Sequence, residues 1–175
     1  MKKLPIVAAL LLAFAAPAAQ AEKLKVTLSG YQEVPTLSSG GAAEFEAEIR
    51  DERQGPRITW VLSYNDGFDG AVTQAHIHFG QRHTNGNISI FLCTNLGNGP
   101  AGTQPCPPGP VTIGGEVTAA DVIGPSVQSI AAGEIDEILA AIRAGVAYVN
   151  IHTTAFPPGE IRGQFRDNPG ASHRH

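Results

Sequence analysis

Apolar and polar residues alternate with period two through much of this chain, the signature of strands with one buried face. In Lys23-Leu24-Lys25-Val26-Thr27-Leu28, the residues Leu24, Val26 and Leu28 share one side. Ala43 to Ile49 repeats the pattern with Glu44, Glu46 and Glu48 outward. Arg57 to Tyr64 predicts a third strand, with Ile58, Trp60, Tyr64 and, less cleanly, Leu62 on one face. Asn65-Asp66-Gly67 then marks a turn. Further strands are expected at Ala71–Phe79, Asn87–Cys93, Val111–Val117, Val146–His152 and Glu160–Arg166.

One segment changes period. Ile135, Ile138, Leu139 and Ile142 fall at i, i+3, i+4 and i+7, which predicts an amphipathic helix from Glu134 to Ala144. Acids stand at its start, Arg143 stands near its end, and Gly145 is placed to stop it. Thr118-Ala119-Ala120-Asp121 resembles a weaker helix start. Short strands with helices only near the end predict a mainly β domain. The expected architecture is a Greek-key-like antiparallel β-sandwich or barrel with one or two short helices late. No domain boundary is visible inside it, and Gly97 to Pro110 reads as a Gly/Pro-rich loop.

The two ends follow different rules. Met1-Lys2-Lys3, the apolar run Leu4 to Ala16, Pro17 and Ala19-Gln20-Ala21 form the three-part secretory pattern. Residues 1–21 are therefore expected to be a cleavable signal peptide. Residues 22–166 would be the domain and 167–175 a disordered tail. The apolar run is shorter than the ~20 residues that span a bilayer, so no membrane attachment is expected after cleavage. The working protein would be secreted or periplasmic. Losing Lys2 and Lys3 takes the formal charge from −4 to about −6. The remaining charges are mixed in sign without a basic cluster, which argues against nucleic acid as a partner.

Export also bears on the cysteines. Cys93 and Cys106 are the only two and bracket the Gly/Pro-rich loop. In an oxidising compartment such a pair forms a disulfide, whereas a thiolate metal or redox site lacks its C-x-x-C spacing here.

The histidines carry the candidate chemistry. In Ala75-His76-Ile77-His78-Phe79, the apolar residues share one face of a strand, so His76 and His78 share the other. Their Cα atoms would then lie ~6.5–7 Å apart, a spacing at which two imidazoles can converge on one metal ion. The same alternation places His152 opposite Val149 and Ile151. If the two strands are neighbours, three imidazole nitrogens meet, an arrangement suited to copper or zinc. The plain alternative is three half-exposed strand histidines hydrogen-bonded to neighbours. His173 and His175 belong to the tail and would bind metal only weakly.

Several segments together resemble the CHRD domain, named for its repeats in animal chordin and present singly in many exported bacterial proteins. They are Ser29-Gly30-Tyr31-Gln32-Glu33-Val34-Pro35, Ala75-His76-Ile77-His78-Phe79-Gly80, Asn85-Gly86-Asn87-Ile88, Ala144 to Thr153 and Pro158-Gly159-Glu160-Ile161-Arg162-Gly163-Gln164. The resemblance runs from about Leu24 to Phe165. It implies a β-sandwich-like domain of largely unassigned activity, and the family's histidine pattern falls on His76, His78 and His152. By analogy with chordin, it also leaves open a structural or protein-interaction domain without metal.

The layout is similar, more faintly, to the copper site of Cu,Zn superoxide dismutases, which implies a copper redox enzyme as a further alternative. His83, in the Gly80–Gly86 turn, is a possible additional ligand, and no counterpart of a zinc site is visible. Glu160 and Arg162 stand at i and i+2 on one strand. They would form an exposed ion pair, or Arg162 would line an anion approach to a metal at His152. Glu33 and Pro35 read as turn or edge residues. No G-x-S-x-G, H-E-x-x-H or Walker-type loop is present, and an enzyme is not the favoured reading.

Overall fold

The computed structural model describes residues 21–167, so the expected signal, apart from Ala21, and the tail from residue 168 lie outside the described residues. Eight strands account for most of the fold. They are β1 (Glu22–Ser29), β2 (Ala42–Glu52), β3 (Gly55–Tyr64), β4 (Val72–Phe79), β5 (Asn87–Thr94), β6 (Val111–Val117), β7 (Ala147–Thr153) and β8 (Ile161–Gln164). All neighbours pair antiparallel in one sheet of order β5-β4-β7-β8-β1-β2-β3-β6. The sheet curls into a nearly closed barrel, so the expected mainly β antiparallel class is the one observed.

The inner face is built by the alternation read from the sequence. Val26 and Leu28, then Phe45, Ala47 and Ile49, then Ile58, Trp60, Leu62 and Tyr64 all point into one apolar core. Ile77, Val149, Ile151 and Ile161 extend it across β4, β7 and β8. Phe45 stacks on Trp60 and meets Phe165 edge-on, which ties the last strand to the first sheet half.

The helix α1 (Ile135–Arg143) is a residue shorter at each end than the pattern predicts. Its buried residues include Ile135, Ile138, Leu139 and Ile142, the four that set the period. Gly145 adopts the left-handed conformation and its N–H bonds Ile142 O, which ends the helix as expected. The weaker start at Thr118 makes only a single 3-10 turn, Ala119–Asp121, held by a capping box between Thr118 and Asp121. No helix among the described residues is long and apolar enough to cross a membrane.

The gap in the barrel lies between β5 and β6, and the Gly/Pro-rich loop closes it. Gln104 Nε2 donates to Leu92 O on β5 and to Gly114 O on β6, bridging the two edges. The Cys93–Cys106 disulfide, with a sequence separation of 13, anchors that loop to β5 as the cysteine spacing predicts.

Candidate metal centre

The outer face of β4, β7 and β8 departs from ordinary alternation. The side chains opposite the core on these strands are polar, and they are nevertheless buried. His76 and His78 on β4, Asn150 and His152 on β7, and Arg162 and Gln164 on β8 are all buried. Loops cover them. The 30–41 segment supplies Glu33, the 80–86 turn supplies backbone carbonyls, and the 154–160 loop supplies Pro157. Every residue of β7 is buried for this reason, a result that period-two patterning does not anticipate.

Strand pairing brings the three histidines together. β4 pairs with β7, so His76 faces Asn150 and His78 faces Tyr148, with His152 opposite Gln74. On the other side of β4, β5 carries an extra residue at Leu92 and at Ser89, beside His76 and His78. Bulges of this kind re-aim neighbouring side chains. One ligand atom from each of His76, His78 and His152 lies within 4.8 Å of the others. The half-exposed alternative is therefore overturned, because the three rings are buried and mutually packed.

Hydrogen bonds assign the ring protons. His78 Nδ1 lies 3.0 Å from Gly86 O and His152 Nδ1 lies 2.9 Å from Pro157 O. A carbonyl only accepts, so both Nδ1 atoms carry hydrogen and both Nε2 atoms carry a lone pair. His76 Nδ1 lies 3.2 Å from His152 Nε2, so in the absence of metal His76 donates to that lone pair. Among the described residues, the buried side-chain atoms without a hydrogen-bond partner are His76 Nε2, His78 Nε2 and Ser89 Oγ. Such orphans are rare in folded proteins and call for a partner.

Burial also fixes charge. It lowers the His76 pKa from 6.5 to about 2, with further lowering by His152 and His78. Burial lowers His78 to about 4; the Gly86 carbonyl partly opposes this, while His152 and Arg162 add to it. His152 is lowered by burial against the opposing pull of Pro157. All three rings are thus neutral at pH 7, the state in which imidazole ligates metals.

The three-histidine cluster could hold a metal ion. Metal–nitrogen bonds of ~2.0–2.1 Å at tetrahedral angles place neighbouring donors ~3.3 Å apart. The 3.2 Å between His76 Nδ1 and His152 Nε2 matches that edge, so an ion there would take the place of one shared proton. The carbonyls on the far nitrogens of His78 and His152 are the outer-shell partners typical of ligating histidines.

The other expected residues fall differently. His83 is exposed on its turn, in a left-handed conformation, and lies outside the convergent group. The exposed Glu160–Arg162 ion pair is a correction: both residues are buried, and among the described residues they form no ion pair with each other. Glu160 instead accepts from Ser39 Oγ, Asp69 N and Thr153 Oγ1, tying two loops and the end of β7 together beside the site. Arg162 donates to Thr84 O, Gln81 O and Gln164 Oε1, and its guanidinium carbon lies 3.4 Å from the Tyr148 ring centre. It therefore faces buried protein groups, not an open approach to His152.

Sequence reasoning missed Tyr148, Asn150, Gln164, Glu33 and Ser89. Tyr148 and Asn150 share the His152 face of β7, and Gln164 shares the Arg162 face of β8, so alternation carried that signal. Glu33 sits on a loop, where no periodicity marks it. Its carboxyl bonds Asn150 Nδ2, and burial raises its pKa, opposed by Asn150, the Val34 N–H and Arg162.

Fold and site together define a nearly closed antiparallel β-barrel domain with a loop-covered, three-histidine cluster on its outer face. Comparison with known protein families matches residues 24–165 to the CHRD domain. The chain belongs to the CHRD family. No curated protein and no solved structure matches it.

Proposed function

We propose that this protein is an exported metal-binding module that holds a copper or zinc ion through His76, His78 and His152. The observation that carries this reading is the convergence of three neutral imidazoles within 4.8 Å, with His78 Nε2 buried and unpartnered. The Cys93–Cys106 disulfide is consistent with export, since such bonds persist outside the reducing cytosol. There a histidine site also meets metal without competing thiols.

Elemental analysis tests the proposal on a chain ending at Asp167, which removes His173 and His175, purified without a metal-affinity tag. About one equivalent of copper or zinc is expected, and the His76→Ala/His78→Ala variant loses most of it. Negligible metal, together with a melting temperature unmoved by added Cu or Zn, would remove the metal reading.

A further inference from the structure

Resting on that site, we infer that the cage favours an ion of single charge, which among metals suited to imidazole means cuprous copper. The convergent group is three histidines, all neutral donors, with no carboxylate or thiolate among them. Cys93 and Cys106 are bound to each other, and Glu33 is engaged by Asn150. Nothing in the ligand set therefore offsets the charge of a metal ion.

A fixed cation stands behind the cage instead. Arg162 covers one face of Tyr148 at 3.4 Å, and His78 stacks parallel to Tyr148 with ring centres 4.8 Å apart. The strand order β4-β7-β8 places Tyr148 between the other two, so only the Tyr148 ring separates the guanidinium from the His78 ring. Electrostatic repulsion from it grows with the charge of whatever His78 binds.

Burial sharpens the discrimination. The exposures of His76, His78 and His152 are 0, 6 and 5%. The cost of moving an ion out of water scales with the square of its charge, so a dication pays about four times what a monocation does. Zinc sites of three imidazoles keep a fourth position for water. Here Phe91 packs edge-on to His76 at 4.4 Å, and the Gly86 and Pro157 carbonyls hold the other two rings from behind. A three-coordinate monovalent ion needs no fourth ligand.

Competition titrations on the chain ending at Asp167 test this. Cu(I) is measured anaerobically against a chromogenic chelator, and Cu(II) and Zn(II) against chelators of known affinity. The expected result is a Kd for Cu(I) at least roughly a hundredfold below that for Cu(II), with Zn(II) weaker still. For a one-electron couple this equals a rise of ~120 mV over free copper ions. Arg162→Gln, checked for folding by circular dichroism, should narrow the Cu(I)/Cu(II) ratio. Cu(II) or Zn(II) binding as tightly as Cu(I), and lost in His76→Ala/His78→Ala, would overturn the charge selectivity and leave the site standing. Binding of no ion would overturn both. A ratio unmoved by Arg162→Gln would overturn the role given to the guanidinium.

Discussion

Lowering the pH from 7 to 5 probes the burial of the imidazoles without changing a residue. In the unfolded chain each histidine titrates near 6.5, whereas in the fold His78 is held to about 4 and His76 to about 2. Below pH 6.5 the unfolded state therefore binds more protons, so stability falls as pH falls. The contribution is fully present above 6.5 and is lost towards pH 4 for His78 and towards pH 2 for His76. At pH 5 each unfolded imidazole gains ~2 kcal/mol by protonation, while its buried counterpart gains almost nothing. His76 and His78 together remove about 4 kcal/mol, a large share of a typical stability of ~5–15 kcal/mol. His152 adds to the loss, since burial lowers it too. Glu33 works in the opposite sense: its raised pKa stabilises the fold below 4.5 and that gain fades as pH rises through its folded value. Urea unfolding in the presence of a chelator measures the balance. With m values of ~1–3 kcal/mol/M, the midpoint should drop by more than ~1 M between pH 7 and pH 5. In His76→Ala/His78→Ala most of that drop should vanish. Equal midpoints at both pH values, or a full drop retained in the double variant, would refute the assignment of neutral, buried rings.

Three other perturbations reach the site or its frame. Glu160→Ala leaves Ser39 Oγ, Asp69 N and Thr153 Oγ1 without their acceptor. It should cost about 3–5 kcal/mol by equilibrium unfolding and weaken metal binding through the loop that carries Pro157. Gly86→Ala would place a methyl carbon 1.8 Å from Phe79 O, so the turn must shift and take the His78 acceptor with it. A loss of about 1–3 kcal/mol, with reduced metal content, is expected on calorimetry and elemental analysis. Cys93→Ala/Cys106→Ala releases the loop that bridges β5 and β6 and should cost about 3 kcal/mol. Hydrogen exchange would show the loss first at Leu92 to Thr94.

Much of this molecule is local information. Alternation in β1, β2 and β3 assigns the inward residues because a strand's period is two whatever its neighbours are. The spacing of Ile135, Ile138, Leu139 and Ile142 determines the helix for the same reason, at a period of 3.6. His76 and His78 share a face by strand geometry alone, and the cysteine pair follows from two cysteines that bracket one short loop. What tertiary structure decided is where faces go after they are made. The sequence has no term for the pairing of β4 with β7, which alone brings His152 to the H-x-H pair across a gap of 74 residues from His78. Nor does it show that loops from three regions fold back over the outer face. That covering turns an outward polar row into a buried one, taking Arg162 and Glu160 from an expected surface pair to the interior. Alternation distinguishes the two sides of a strand, but only the chain's long-range packing decides whether the second side meets water.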